Sequence, residues 1–209
     1  MYTVGWCLWW LRLATIHTPP NQLLPAESYT ESDAGSSDGN FSRNLSPKSL
    51  GLKREKLTHL HFYFHDIVTA QKDQNKSTAK VGGAAAANGG NSSWLTFGNV
   101  VMMDNALTTT PDFTSKLVGR AEGIYASASQ SETSLLMVLN FFFTQGKFNG
   151  STLSVLGRNP ILSSVREMPI VGGTGVFRFS RGYALARTYS FDPSSFNAVV
   201  GYDVYVLHY

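Results

Sequence analysis

The sequence is most informative first in what it lacks. Its single cysteine is Cys7, so an internal disulfide, a cysteine-based zinc site and a cysteine nucleophile beyond the first few residues are all excluded. Charged residues make up only 15% of the chain, and the net charge of +3 with a pI near 9.0 is spread thinly. There is no Lys/Arg block and no basic helix, which argues against nucleic acid as a partner. Three of the four tryptophans fall within the first ten residues, leaving Trp94 alone to serve as a tryptophan sugar platform. No Gly-x-Ser-x-Gly elbow in a strand-turn-helix setting is present, so a Ser-His-Asp hydrolase is a poor fit. Neither a copper-ligand constellation nor a cofactor motif occurs, and we expect no metal, no cofactor and no oxidase activity from the chain alone.

Long hydrophobic runs are also missing. The longest, Val4 to Ile16, is too short to cross a bilayer as a helix, and no membrane span is expected. It has the apolar character of a signal-peptide h-region, yet Arg12 interrupts it and no clean small-x-small site follows. A weak signal peptide over residues 1–17 and a misread first exon both leave this pattern. Residues 18–56 are rich in Pro, Ser, Asn and Asp and poor in periodic apolar positions. They cannot bury enough surface to offset the entropy of ordering, and a disordered linker is expected. Sequons at Asn40, Asn44, Asn75, Asn91 and Asn149 suit a secretory route, with Asn149, Asn91 and Asn75 the candidate glycosylation sites. Asn149 is the best placed, because Lys147-Phe148-Asn149-Gly150 reads as an exposed hairpin turn.

What is present is period-two patterning from residue 57 to the end, the span assigned to one β domain. Leu57 to Val68 opens it, with Leu60, Phe62, Phe64, Asp66 and Val68 on one face and His59, His61, Tyr63 and His65 on the other. A loop from Thr69 to Ser93 is expected next, its Gly82–Gly90 run too poor in helix formers to nucleate. Strand-like runs then recur at 95–103, 119–129, 135–144, 151–156, 165–171, 176–189 and 198–208. Turn-forming separators lie between them, including Asp104-Asn105 and Gly157-Arg158-Asn159-Pro160. About eight short strands without a helix of useful length suggest a barrel or a sandwich. The long run 176–189, with Gly182 as a bend or bulge, favours the barrel.

Gly172-Gly173-Thr174-Gly175 could cradle a phosphate, but that use needs a helix N-terminus directly after it. Here Phe177, Phe179, Arg181, Tyr183, Leu185, Arg187 and Tyr189 alternate instead, and the glycines read as a chain reversal. This stretch, together with Phe62-Tyr63-Phe64-His65-Asp66-Ile67 and Gly119-Arg120-Ala121-Glu122-Gly123-Ile124-Tyr125, resembles the plant dirigent family from about Leu57 to Tyr209, with the motifs in family order. The resemblance implies an all-β, eight-stranded antiparallel barrel and a homo-oligomer, a trimer or a dimer. It also implies secretion to the apoplast and phenolic small-molecule substrates.

Asp66 is the sharpest candidate. A carboxylate on the face of Leu60, Phe62 and Phe64 is costly to bury, its pKa should rise, and such groups often serve as acids or bases. Spacing alone leaves open a second reading, in which the strand ends at His65 and Asp66 caps a turn; the resemblance places it in the pocket. By the same resemblance Tyr125 is a pocket tyrosine able to hydrogen-bond a phenolic oxygen, and Arg166 a pocket arginine able to hold an oxyanion. Asp66, Arg166 and Tyr125 are therefore the expected catalytic residues. Asn159 stands where lignan-forming members carry a second aspartate, and it cannot shuttle a proton. Phe64, on the face of Asp66, and Phe179, in the run after the glycines, are expected to contact substrate beside Asn159. His59, His61 and His65 share a strand face, where i and i+2 side chains can approach one ion, but no acidic or Cys partner follows at diagnostic spacing. A polar or subunit-facing surface is expected there rather than a metal site.

Two mechanisms follow from the resemblance. In the main one, an external laccase or peroxidase generates phenoxy radicals of the coniferyl-alcohol type, and the barrel fixes the faces on which they couple to optically active lignans. In the alternative, as in relatives that begin much like Leu52-Lys53-Arg54-Glu55-Lys56-Leu57-Thr58-His59-Leu60-His61-Phe62, a 2′-hydroxyisoflavanol loses water and the quinone methide closes to a pterocarpan by lyase-type acid catalysis. Asn159 favours the second branch or another non-lignan role. A cell-wall binding barrel without chemistry remains a third class.

Overall fold

The computed structural model describes residues 41–69, 76–83 and 95–209. The leader 1–17, most of the 18–56 segment, Asn75, Asn91 and Trp94 lie outside the described residues. Within them are nine strands: β1 (Lys56–Asp66), β2 (Thr78–Gly82), β3 (Val100–Thr108), β4 (Leu117–Ser127), β5 (Ser134–Phe143), β6 (Thr152–Pro160), β7 (Arg166–Gly173), β8 (Arg181–Phe191) and β9 (Ala198–His208). All pairings are antiparallel, in the order β1-β9-β8-β7-β6-β5-β4-β3. The ring closes where Tyr63, Phe64 and His65 of β1 pair with Thr108, Leu107 and Ala106 of β3. The all-β, eight-stranded antiparallel barrel expected from the sequence is the architecture observed. Among the described residues no helix is long and apolar enough to cross a membrane.

The ninth strand was not anticipated, because it lies in what reads as a loop. β1 covers only the last residues of β3, and β2 takes over the same edge, pairing with Val100 to Met103. The wall of the barrel thus continues past the end of β1, and Thr78 is buried there beside Asp66.

Alternation decides what fills the interior. Phe62 and Phe64 of β1, Leu139 and Phe141 of β5, Leu153 and Val155 of β6, Met168 and Ile170 of β7, and Tyr202, Val204 and Val206 of β9 are all buried in one core. Each such side chain contributes roughly 1.5–3 kcal/mol by leaving water. One end of the core is a solid aromatic plug. Phe148 stacks on Phe177 at 5.1 Å, and Phe143 and His208 pack against Phe177 at 5.8 and 5.0 Å. His208 is held by a hydrogen bond from Nδ1 to the Val176 carbonyl and one between Nε2 and the Thr58 hydroxyl, each 2.9 Å.

Three expected boundaries shift. The run at 95–103 becomes strand 100–108, so Asp104 and Asn105 sit inside β3 rather than in a turn. Their polarity is satisfied on both faces: Asp104 pairs outside with Arg120, and Asn105 is buried inside among hydroxyls. Gly157 to Pro160 likewise belongs to β6, with Pro160 confined to its end as proline requires. The run 176–189 is not one strand. A 3-10 turn spans Gly175–Phe177, and β8 begins only at Arg181. The turn drops Phe177 into the plug. Gly175 has φ +61°, and a Cβ there would stand 2.4 Å from Ser151 Oγ, so the chain reversal requires glycine. Gly182 is neither bend nor bulge; its hydrogen lets β8 approach β9, where a Cβ would fall 2.0 Å from the Tyr205 carbonyl oxygen. The bulge lies further on, between Thr188 and Ser190.

Candidate functional site

The polar side chains gather at the barrel end opposite the plug, where β1 to β4 and then β6, β7 and β9 bring together residues distant in sequence. Asp66 is the last residue of β1 and faces inward. Three groups donate to its carboxylate: the Thr78 hydroxyl at 2.5 Å and the Asn105 amide at 3.4 Å to Oδ1, and the Tyr125 hydroxyl at 3.4 Å to Oδ2. Asn105 is itself fixed by the Ser77 hydroxyl, which donates to its Oδ1 at 2.5 Å. The reading of Asp66 as a turn cap does not describe this arrangement.

Burial pushes the Asp66 carboxyl above the usual carboxylate range, and the hydrogen bonds from Thr78, Asn105 and Tyr125 oppose that rise without cancelling it. The residue nevertheless keeps some accessible surface, which a side chain on the wall of a recess shows and one packed solid does not. Tyr125 is buried, and its phenol is pushed up by desolvation, then by the charge of Asp66 and its hydrogen bond to Asp66. It therefore stays a proton donor in hydrogen bonds across the physiological range.

A second group forms around Arg166, the first residue of β7. Its Nε donates to Asn159 Oδ1 at 3.2 Å, and its Nη1 donates to the Thr188 hydroxyl at 2.9 Å and the Ser163 carbonyl at 3.4 Å. Desolvation pulls the guanidinium pKa down, but arginine remains charged in a protein. No carboxylate neutralises it among these partners, so its charge is available to an anionic oxygen. Asn159 is a buried strand residue that orients Arg166, not a turn residue.

Tyr202 links the two groups. Its ring stacks on Phe62 at 5.9 Å and packs against Phe64 at 5.8 Å and Phe141 at 5.3 Å. Burial pushes its phenol pKa up to about 12; the charge of Arg166 lowers that pKa and the charge of Asp66 raises it, so Tyr202 lies within the field of both. Phe64 belongs to this wall through Tyr202. Phe179 does not belong to it. Its side chain is 55% exposed and its φ is +60°, in the β7–β8 connection at the plugged end, so its expected role in substrate contact is withdrawn. The alternation that suggested that role stops at the 3-10 turn.

Sequence reasoning missed Thr78, Asn105 and Tyr202. Tyr202 carried a signal, since it shares a period-two face with Val204 and Val206. Asn105 was hidden by an Asp-Asn pair that reads as a turn, and Thr78 by its place in a presumed loop. The outer histidines His59 and His61 meet an acidic partner across the sheet. His59 Nε2 and His61 Nδ1 each lie 2.9 Å from one oxygen of Asp203, whose other oxygen accepts from Arg187 at 2.9 Å. The acidic partner comes from β9, where no local spacing announces it. His65, on the same strand face, is buried under Phe113. Asn149 is exposed at the end of the 3-10 turn between β5 and β6.

Comparison with known proteins agrees with this architecture. The family model described as Dirigent-like protein matches residues 57–207. Pterocarpan synthase 1 of Glycyrrhiza echinata is 54% identical over 170 residues, covering 81% of this chain and 87% of the relative. Dirigent protein 21 of Arabidopsis thaliana is 50% identical over 186 residues, covering 89% and 92%. A solved structure of a pterocarpan synthase dirigent protein superposes with a TM-score of 0.68 at 50% identity, covering 82% of this chain and 99% of that one. With an inward-facing carboxylate at the end of its first strand, and a family match over the whole barrel, this chain belongs to the dirigent-like family.

Proposed function

We propose that the barrel dehydrates a 2′-hydroxyisoflavanol-type phenol and closes the resulting quinone methide stereospecifically to a pterocarpan. This was the alternative reading of the sequence, and it now takes precedence over lignan coupling. The observation that carries it is the inward-facing Asp66, whose carboxyl pKa burial pushes up, an acid set where a leaving hydroxyl needs a proton. Identity of 54% to proteins named pterocarpan synthase supports it, as does an amide at position 159, which radical capture need not exclude but which supplies no second acid.

In this mechanism Asp66 gives its proton to the departing hydroxyl, the C–O bond breaks and water leaves. The para-related ring phenol gives up its proton, which restores the Asp66 carboxyl, and its electron pair forms the quinone methide. Its oxygen carries partial negative charge, which Arg166 stabilises from the position fixed by Asn159 and Thr188. The second phenolic hydroxyl then adds to the electrophilic carbon, and its proton returns the ring oxygen to a phenol. The net change is loss of one water, and no oxidant is consumed. Tyr125 positions the carboxyl and can bind a phenolic oxygen.

Stereoselective coupling of phenoxy radicals supplied by an external laccase or peroxidase is the second reading, favoured by relatives named simply as dirigent proteins. Secretion to the apoplast, glycosylation at Asn149 and assembly into a homo-oligomer belong to the same proposal. The test is chiral chromatography of two reactions, one with a 2′-hydroxyisoflavanol alone and one with coniferyl alcohol plus laccase. Pterocarpan of a single configuration without oxidant is expected. Racemic product from the first and enantioenriched lignan from the second would reverse the order of the readings, and no effect on either would leave a binding barrel.

A further inference from the structure

On the opposite side of β1 from Asp66, a recess of about 270 Å³ opens between the β3–β4 and β8–β9 connections. His65, Pro111, Phe113, Phe191, Asp192 and Asn197 contribute to its lining. Consecutive strand residues point to opposite faces, so His65 serves this outer recess and takes no part in the chemistry assigned to Asp66.

The hydrogen bonds settle the state of His65. The Thr108 hydroxyl has one proton, and it donates that proton to the Thr110 carbonyl at 2.7 Å. At 2.7 Å from the same oxygen, His65 Nε2 must therefore be the donor. The ring carries its proton on Nε2, and Nδ1 is left as an acceptor. Burial pulls the imidazole pKa down, which keeps that lone pair free. His65 is 1% exposed, and none of its described hydrogen bonds uses Nδ1. His65 is one of the residues that line the recess. A buried acceptor in that position is costly unless something donates to it.

The rest of the lining narrows what can do so. Phe113 meets the His65 ring edge-on at 5.3 Å, and with Pro111 and Phe191 it offers apolar surface suited to a flat ring. The Asn197 amide oxygen is occupied, accepting from the Val68 and Thr69 amides at 2.9 Å, and its nitrogen gives one proton to the Thr69 carbonyl at 3.0 Å. Asp192 is held ionised by Ser194 and Ser195, its pKa drawn down to about 2, and Asp112 lies close enough for its charge to act on His65. Two carboxylates beside an acceptor repel anions, and the apolar surface of Pro111, Phe113 and Phe191 disfavours burying a cation, so a neutral donor is the fitting guest.

We propose that this recess is a second ligand site, separate from the barrel interior, that takes a neutral hydroxylated aromatic whose ring lies among Pro111, Phe113 and Phe191 and whose hydroxyl donates to His65 Nδ1. It is independent of the reaction assigned to Asp66. The test is a ¹H–¹⁵N NMR titration of the full chain with 4-methylphenol, its methyl ether and 4-methylbenzoate. The phenol should shift the amides of Phe113, Phe191, Asn197 and Val199 saturably, with the same midpoint in Asp66→Asn. The ether, which cannot donate, should bind at least about tenfold more weakly, and the benzoate should leave these amides unmoved. Phe191→Ala, a change at a half-exposed ring, should weaken the outer shifts while sparing those of interior residues. Equal binding of phenol and ether, or outer shifts that disappear in Asp66→Asn and survive Phe191→Ala, would overturn the proposal. The ligand panel on the unaltered protein decides the matter even where a variant folds poorly.

Discussion

The two ends of this barrel are built from the same strands by the same alternation, yet they do opposite work. At one end Phe143, Phe148, Phe177 and His208 close the core with ring contacts and a histidine whose two nitrogens are both bonded. At the other, inward positions carry Asp66, Asn105, Tyr125, Asn159 and Arg166. The aromatic end supplies stability, each buried ring removing apolar area from water and each ring pair adding about 0.5–1.5 kcal/mol. The polar end draws on it, because a carboxyl and a guanidinium are desolvated there without being paired to each other. The lesson is a division of labour along the barrel axis, with the desolvation cost at the reactive end offset by apolar packing at the plugged end.

That contrast can be broken by mutation at either end. Asp66→Asn keeps the size and shape of the carboxyl but removes its proton, and turnover of a 2′-hydroxyisoflavanol should fall by about 10²–10⁴-fold. Its melting temperature should not fall with it. Since the folded-state pKa of Asp66 is raised, the stability it contributes is fully present below its unfolded value and is lost as pH rises through the folded value. At neutral pH the asparagine variant should thus melt at or above the parent temperature, and below pH 3 the advantage should vanish; differential scanning calorimetry across that range reads the sign.

Phe177→Ala should do the reverse. It removes a fully buried ring from the centre of the plug, and a loss of ~3–5 kcal/mol in urea unfolding is expected. The folded fraction should turn substrate over as the parent does. A variant with intact stability and lost activity would show that the plug shapes the reactive end directly.

A smaller effect sharpens the account of the polar end. Tyr125→Phe removes a hydrogen bond that favours ionised Asp66. Without it the Asp66 pKa should rise further, and the limb of the pH–rate profile set by the acid should move to higher pH by an amount on the order of one bond, ~1 kcal/mol. A limb that stays in place would separate Tyr125 from Asp66.

How much of this was readable in the sequence depends on whether the signal was local. Alternation in Leu60, Phe62 and Phe64 placed Asp66 on the inner face, and turn residues marked most strand ends, so the barrel was legible. What failed was polarity read as punctuation. Asp104-Asn105 and Gly157-Arg158-Asn159-Pro160 look like turns, but the neighbouring strands bring Thr78, Arg120 and Arg166 to satisfy them within strands. Phe179 failed for the converse reason, since alternation continued in the sequence where a 3-10 turn interrupts it in space. The shell around Asp66 depends on β1, β2, β3 and β4 meeting. Closure alone sets that meeting, and spacing along the chain does not encode it.

The central claim is that the polar end keeps Asp66 protonated more readily than water would, so that it can act as an acid. Its most direct test is a ¹³C NMR titration of the Asp66 carboxyl, assigned by its loss in Asp66→Asn. The account predicts a midpoint above the ordinary value of 3.8, moving higher still in Tyr125→Phe. A midpoint at or below 3.8 would contradict it, for the carboxyl would then be an ion held by its three donors rather than an acid waiting for a leaving group.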